Sequence, residues 1–207
     1  MNCDPIAGCY RWLEYLSFGR ALERRRFRYL PNVAHASSAL ILGGGDGRFL
    51  ARLARHHAGR KTRIHYIDSS ARMLDLARRR AGDNRIHYQL ADVRRVPLGH
   101  ATFDLIVTHF FLDCFNEGDA SNLVERVSRA ALPDARWLVS EFRPVRWAEL
   151  LLRGLYFFFQ VTTGLKTSRL VDHHGLLARH GFRLEREERS WFGWLASELW
   201  VRTPDSA

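Results

Sequence analysis

The sequence predicts an α/β fold, a three-layer α-β-α sandwich around a mostly parallel, seven-stranded sheet with an antiparallel C-terminal hairpin strand. A glycine-rich turn, Gly43–Gly47, joins an apolar strand to an amphipathic helix. The next two predicted strands end next to Asp68 and Asp92. The chain then closes with two strands joined by a short turn, the pattern of an edge hairpin. Together these observations indicate a Rossmann-like sheet with polar side chains at successive strand ends.

The strands are predicted from short apolar or alternating runs bounded by turn residues. They are Ala39–Leu42, Thr62–Ile67, Ile86–Leu90, Phe103–Thr108, Arg136–Phe142, Phe182–Glu188 and Trp194–Arg202.

The helices are predicted from apolar periodicity and from residues that begin or end a helix. Before the first strand they are Asp4–Phe18, with Pro5 after a capping aspartate, and Gly19–Leu30, which ends at Pro31. The later ones begin at Arg48 and Ala71 and span Asp119–Leu132, Val145–Leu165 and Leu170–His180.

Composition places the chain among globular proteins and predicts a single domain over residues 1–207. The net charge is +10, but the arginine runs are scattered over separate elements. They are therefore interpreted as solvated helix faces, with a phosphate-binding surface as the alternative. No apolar run is long enough to span a membrane, and the N-terminus has no signal-peptide pattern. Three cysteines without metal spacing predict reduced thiols in a cytoplasmic protein.

Four stretches of the sequence resemble the class I S-adenosylmethionine (SAM)-dependent methyltransferases. LGGGDGRFL is similar to the glycine-rich SAM loop, YIDSSARML to the ribose-binding segment, LADV to the adenine segment, and FDLIVTHFFLDCF to the fourth strand with its following loop. The sequence differs from the family where many members carry an acid two residues before the first glycine, because here that residue is Ile41. The string GGGDG also resembles aminopropyltransferases, but the aspartate-rich segment of that family is absent after the fourth strand.

The resemblance implies SAM as the cofactor and a set of residues that bind it. Asp68 is expected on the ribose hydroxyls, and Asp92 on the adenine amine. Residues 1–31 are expected to form a helical lid, with plain packing against the sheet edge as the alternative. The implied cofactor-binding residues are Gly43, Gly44, Gly45, Asp46, Gly47, Asp68, Ser69, Met73, Asp92, Val93, His109 and Tyr10.

Two residues after the fourth strand are the candidates for catalysis. The resemblance places His109 and Asp113 beside the transferred methyl group, where an oxygen or carbon nucleophile needs a base. Glu141, at the end of the fifth strand, is a weaker third candidate. No metal site is predicted. The pairs His56-His57 and His173-His174 are adjacent in sequence and lack the i,i+4 spacing with which two helical histidines bind one ion. Both pairs are expected at the surface.

The acceptor is predicted from the segments that would cover the pocket. Residues 143–180 are expected to form substrate-pocket helices, and Val145–Leu165 carries more aromatic residues than one core-facing stripe can hold. The pattern resembles the quinone-ring methyltransferases, which implies a small, lipophilic, aromatic or quinone-like acceptor methylated on oxygen or carbon, less readily on nitrogen. The alternatives for this helix are a wall of the acceptor pocket, contact with another protomer or a partner protein, and peripheral contact with a membrane surface.

Nucleic acid is not expected as a partner, because the motifs of base methyltransferases are absent after the fourth strand. Two functions remain open: an enzyme that methylates a small apolar molecule, or a non-catalytic SAM-binding or nucleotide-binding subunit that supports a partner protein. The sequence leaves open whether the chain is a monomer or a homodimer.

Overall fold

The computed structural model describes residues 20–59, 61–145 and 170–203, together with the single residues 147, 154 and 160. The predicted helix Asp4–Phe18, Tyr10 and nearly all of Val145–Leu165 lie outside the described residues.

Within these ranges, seven strands form one mixed sheet, as the sequence predicts. They are β1 (Ser38–Leu42), β2 (Arg63–Asp68), β3 (Ile86–Leu90), β4 (Phe103–His109), β5 (Ala131–Phe142), β6 (Phe182–Ser190) and β7 (Leu195–Arg202). The spatial order is β3-β2-β1-β4-β5-β7-β6. Strands β1 to β5 pair in parallel, whereas β7 pairs antiparallel with both β5 and β6. The chain order reverses between β1 and β4, which is where open α/β sheets bind ligands beyond the carboxyl ends of their strands.

Five described α-helices pack against this sheet. They are α1 (Ala21–Phe27), α2 (Arg48–His56), α3 (Ala71–Ala81), α4 (Glu117–Ala130) and α5 (His173–Arg179). Short 3₁₀ turns occupy Leu30–Val33 and Leu112–Cys114. Among the described helices, none is long and apolar enough to cross a membrane.

The core lies on both faces of the sheet because the central strands are apolar on both sides. On one face Ile106 and Trp137 pack against α4 and α5. On the other face Ile41 and Leu105 pack against α2 and α3. The indole Nε1–H of Trp137 donates to the hydroxyl of Thr108 at 2.9 Å, which satisfies the polar group of a fully buried side chain.

Several helix boundaries differ from the predictions, and capping side chains explain two of them. Asn116 accepts a hydrogen bond from the backbone N–H of Asp119 at 2.8 Å, so α4 begins at Glu117 and not at Asp119. Asp172 accepts from the N–H of Gly175 at 3.1 Å, so α5 begins only at His173. At the other end of α4 the chain passes directly into β5, whose continuous pairing with β4 starts at Arg136 after an irregular stretch.

Candidate cofactor site

A cavity of about 200 Å³ opens at the carboxyl ends of β1, β2, β3 and β4, on the side of the sheet where the chain order reverses. Every predicted cofactor residue lines it except Gly47 and Tyr10, the second of which lies outside the described residues. Sequence reasoning did not assign several further lining residues: Arg26, Arg48, Phe49, Arg94, Phe110, Phe111, Phe115, Asn116 and Asp119.

The glycines of the loop after β1 serve different purposes. A Cβ on Gly43 would lie 2.1 Å from the ring of Phe111, and a Cβ on Gly44 would lie 2.5 Å from the ring of Tyr66. Gly45 has φ +64°, and a Cβ added there would meet no protein atom within 4 Å. Since Gly45 lines the cavity, the loop leaves open space against its backbone, as a bound ligand requires.

Gly47 does not contact the cavity. It has φ +79°, and a Cβ there would lie 2.5 Å from the backbone of Ala77 on α3. The residue is therefore needed for the close packing of α2 against α3. The contacts of Asp46 also stabilise the fold. Its buried carboxylate forms ion pairs with Arg80 at 2.7 Å and with Arg48 at 3.1 Å.

Two side chains from β2 hold the glycine loop in place. The hydroxyl of Tyr66 donates to the carbonyl oxygen of Gly45 at 2.7 Å. Asp68 accepts from the N–H of Gly45 at 3.2 Å and, through its other oxygen, from the N–H of Ser70 at 2.9 Å. Asp68 thus has two oriented carboxylate oxygens at the cavity wall, where it is 9% exposed. This fits a carboxylate that accepts hydrogen bonds from ribose hydroxyls.

The aspartate at the end of β3 is held by an arginine. Asp92 pairs with Arg94 at 2.6 Å, and Arg94 also reaches Asp119 at 3.1 Å. Hydrogen bonds from Arg94 lower the pKa of Asp92 to about 2. The carboxylate is therefore charged at neutral pH and fixed in direction beside Val93, with an arginine already bonded to it. Arg94 therefore competes for the Asp92 carboxylate with the adenine amine, the partner that the resemblance assigns to Asp92.

His109 ends β4 and is the most isolated polar side chain of the cavity wall. It is only 8% exposed, and neither ring nitrogen has a hydrogen-bond partner among the described residues. Its ring meets Phe49 edge-on, with centroids 4.7 Å apart. Burial, with a smaller contribution from the charge of Arg26, lowers the pKa of His109 well below the ordinary imidazole value. The imidazole is therefore neutral at pH 7, and its nitrogens are available to a ligand.

Asp113 is not brought to the cavity with His109. Phe110 adopts φ +53°, and the following 3₁₀ turn directs Asp113 inward, where its carboxylate accepts from the N–H of Val171 at 3.1 Å. Glu141 lies there too, and its carboxylate accepts from the N–H groups of Phe111 and Leu112, each at 2.9 Å.

Asp113 and Glu141 form a buried pair of carboxyl groups beneath the loop after β4. Each has one oxygen without a hydrogen-bond partner in the described structure. Burial raises the pKa of Asp113, and burial together with the charge of Asp113 raises the pKa of Glu141 well above its usual value. Their contacts support the loop that carries Phe111, and neither residue lines the cavity.

The expectation that both histidine pairs lie at the surface is wrong. His57 is fully buried and bonds through Nδ1 to the hydroxyl of Thr62 at 2.9 Å, although His56 is exposed. His173 is 2% exposed and, like His174, points at the carboxylate of Glu198. The sequence carried no local signal for this, because Glu198 follows 24 residues after His174 and reaches it only through the pairing of β7 in the sheet.

Arg26 was also missed, for a similar reason. It lies on α1, before the first strand, and its guanidinium stands 5.3 Å from the ring centroid of Phe110. Since Arg26 lines the cavity, residues preceding β1 do reach the ligand side of the sheet. The wider lid prediction for residues 1–31 stays a prediction.

Comparison with known proteins agrees with this architecture. Residues 39–134 match the family model of a methyltransferase domain. The malonyl-[acyl-carrier protein] O-methyltransferase of Methylovorus sp. is 27% identical over 86% of this chain and 61% of its own length. The ubiquinone/menaquinone biosynthesis C-methyltransferase of Desulfotalea psychrophila is 27% identical over 68% of this chain and 56% of its own length. The chain thus spans about three fifths of the length of these curated relatives.

Solved structures share the fold. A SAM-dependent methyltransferase from Mesorhizobium loti superposes with a TM-score of 0.69 at 20% identity, covering 88% of this chain and 98% of that one. The N-methyltransferase NodS from Bradyrhizobium japonicum, solved with S-adenosyl-L-homocysteine (SAH), has a TM-score of 0.68 at 16% identity, with 89% of each chain covered. Residues 39–134 therefore carry a methyltransferase domain, and the described residues have the fold of SAM-dependent methyltransferases.

Proposed function

We propose that this chain transfers the methyl group of SAM to an oxygen or carbon atom of a small, lipophilic, aromatic or quinone-like acceptor. The observation that carries the proposal is the buried, neutral imidazole of His109, which has two unpartnered nitrogens among the described residues and lines the same cavity as Gly45 and Asp68. A buried polar group without a hydrogen-bond partner lowers the stability of the folded protein. Such groups are therefore typical of sites where a ligand supplies the missing hydrogen bond.

The shape and chemistry of the cavity support an aromatic acceptor. Four phenylalanines line it, and aromatic side chains favour flat apolar ligands through edge and face contacts. They are Phe49, Phe110, Phe111 and Phe115. The guanidinium of Arg26 lies at the same wall and adds a positive charge next to His109. An acceptor with an acidic hydroxyl, such as a phenol or a hydroquinone, matches both the rings and the charge.

In this proposal the cavity residues have separate roles. SAM supplies an activated methyl group on a sulfonium, so the protein mainly aligns the acceptor and excludes water. Gly45 and Asp68 hold the cofactor by open backbone and by carboxylate hydrogen bonds. His109 is neutral at pH 7 and accepts the hydroxyl proton on a ring nitrogen as the new O–C bond forms, when that proton becomes acidic enough for a base of lowered pKa. Arg26 stabilises the negative charge on the acceptor oxygen before the bond is complete.

The curated relatives are consistent with this range of acceptor atoms. One is an O-methyltransferase and another is a C-methyltransferase that acts in ubiquinone and menaquinone biosynthesis. At 27% identity to this chain, the two relatives support oxygen and carbon equally as the acceptor atom.

We also propose that the acceptor is met at a membrane surface. The turn between β6 and β7 exposes Phe192 to 94% and Trp191 to 39%, and both residues have positive φ. Left-handed backbone is unfavourable for bulky side chains, so a turn that holds two aromatic residues this way is a candidate contact surface. The turn lies at the carboxyl end of β5, since Phe142 pairs with Leu195.

The activity is tested with purified protein, radiolabelled SAM and a panel of phenols and hydroquinones, with aliphatic carboxylic acids and RNA as comparison acceptors. We expect label only in the aromatic acceptors. His109→Asn should lower turnover while SAH binding, measured by calorimetry, persists. Transfer to the aliphatic acids alone would contradict the acceptor proposal.

The second candidate is a non-catalytic SAM-binding subunit. The observation that favours it is the position of Asp113, which leaves His109 as the sole sequence-predicted base at the described cavity wall. Binding of SAH without transfer to any acceptor would support this reading over the enzyme.

A further inference from the structure

A second cluster of polar side chains lies away from the cavity, where α5 packs on β7. His173 directs its Nε2 to both carboxylate oxygens of Glu198, each at 3.2 Å, and His174 directs its Nε2 to one of them at 2.9 Å. We infer that His173, His174 and Glu198 form a binding site for a divalent transition-metal ion, of which Zn²⁺ fits the donor set best.

The spacing of the donor atoms suits such an ion. One ligand atom from each of the three residues lies within 4.8 Å of the others. With bonds of about 2.0–2.1 Å, neighbouring ligands of a tetrahedral zinc ion stand about 3.3 Å apart. The two histidine–carboxylate separations of 2.9 and 3.2 Å are close to that value, and the ligand atoms of the two histidines lie within 4.8 Å of each other. Two imidazoles and one carboxylate also form a set that first-row transition metals prefer over Ca²⁺ or Mg²⁺.

The fold orients each of the three residues. Asp172 caps α5, and a Cβ on Gly175 would lie 2.4 Å from the Asp172 carboxylate, so a larger residue there would displace the capping side chain. His173 and His174 are the first two residues of α5, and both reach the carboxylate of Glu198. Glu198 enters from β7, where it pairs with Val139 and is fully buried.

A neighbouring indole orients the carboxylate in the way that supports metal binding. Trp200 Nε1–H donates to Oε2 of Glu198 at 2.8 Å. This leaves Oε1, the oxygen nearest to His174, for an ion. Hydrogen bonds of this kind to a ligating carboxylate fix its direction and raise metal affinity.

The charge and access of the cluster are compatible with a cation. Arg143 lies 3.9 Å from Oε1 of Glu198, beyond hydrogen-bond distance, and also lies 3.5 Å from Glu187. It therefore keeps an acidic neighbour when an ion takes Oε1. The side chain of His174 is 26% exposed, which provides an entry path and room for water as a fourth ligand.

The ion would stabilise the structure and take no part in methyl transfer. None of the three residues lines the cavity, but α5 belongs to residues 143–180, the segment expected to form the substrate-pocket helices. Coordination would tie this helix to the antiparallel part of the sheet. This inference does not depend on the proposed function.

The test uses the full chain without an affinity tag, stripped with a chelator and then titrated with Co²⁺ and Zn²⁺. We expect one equivalent of Co²⁺ to give visible d–d absorption, and Zn²⁺ to displace it. His174→Gln removes a ligand and should weaken Zn²⁺ binding by more than about 100-fold. Trp200→Phe removes the supporting hydrogen bond together with part of a buried ring that contacts His174, and should weaken it by about 10-fold to 100-fold. The exposed His56, changed to Gln, is the matched control and should leave binding unchanged.

Thermal unfolding gives an independent readout. Zn²⁺ should raise the Tm of the stripped wild-type chain, because a ligand that binds only the folded state stabilises it, and should leave that of His174→Gln unchanged. Glu198→Gln is a second variant, and circular dichroism checks its fold. Wild-type protein that shows no Co²⁺ spectrum, or binds Zn²⁺ no more tightly than His174→Gln, would overturn the inference and leave the cluster as a hydrogen-bonded contact between α5 and β7.

Discussion

The hydroxyl of Tyr66 donates to the carbonyl oxygen of Gly45 at 2.7 Å, so a fully buried side chain of β2 holds the tip of the cofactor loop. Tyr66→Phe removes this bond and leaves the Gly45 carbonyl without that donor. We expect SAH affinity to fall about 2-fold to 10-fold, the effect of one net hydrogen bond of about 0.5–1.5 kcal/mol. Tyr88→Phe is the matched control, because the Tyr88 hydroxyl is buried without a partner in the described structure. Equal losses in both variants would show that the loop does not depend on Tyr66.

Asp68→Ala should weaken SAH binding at least about tenfold, since hydrogen bonds to a charged group contribute about 1.5–3 kcal/mol each. Calorimetry measures the change, and circular dichroism confirms the fold. Asp75→Ala, in an exposed position on α3, should leave the affinity as it is. Unchanged binding in Asp68→Ala would remove Asp68 from the cofactor site.

Gly45 and Gly59 offer a paired test of the glycine loop. Both have positive φ, and a Cβ at either would meet no protein atom within 4 Å, but only Gly45 lines the cavity. Replacement of either by Ala should cost about 1–2 kcal/mol of stability from left-handed backbone. Only Gly45→Ala should also impair SAH binding, and the larger Gly45→Val should abolish it. If Gly45→Val folds and binds normally, the loop is only a turn.

The lowered pKa of His109 predicts a stability loss in acid. Below pH 6.5 the unfolded chain binds a proton at this imidazole, whereas the folded chain does not, so the free energy of unfolding falls as pH decreases. Between pH 6.5 and 5.0 this contribution amounts to at most about 2 kcal/mol. His109→Asn should therefore lose less stability than wild type over that range in urea unfolding, and His56→Gln serves as an exposed control. If the free energy of unfolding of His109→Asn falls with pH as much as that of wild type, His109 is not buried in its neutral state.

Membrane contact predicts that the protein sediments with anionic liposomes at low salt and is released at high salt. Trp191→Ala with Phe192→Ala should lower the bound fraction, because these side chains are exposed at the β6–β7 turn. Leu90→Ala removes an exposed apolar side chain at the end of β3 and is the control. Protein that stays in the supernatant at low salt would rule out the membrane proposal. The part of the expectation that concerns Val145–Leu165 lies outside the described residues.

The order of strands and helices could be predicted from the sequence because its signals are local. The apolar run before Gly43, the short turn between β6 and β7, and the aspartate at the end of β2 each lie within a few residues of the structure they indicate. Five parallel strands with short connections then leave few possible topologies, so the position of the cofactor loop at the sheet's carboxyl edge follows.

The tertiary structure decided which polar residues meet. Asp113 turned away from the cavity because Phe110 and the 3₁₀ turn direct it toward Val171. Arg26 reached the cavity from a helix that the sheet does not require. Glu198 joined the two histidines only through the register of β7 on β5. These contacts join residues far apart in the chain, so their partners depend on strand pairing and helix packing, which no local pattern of residues records.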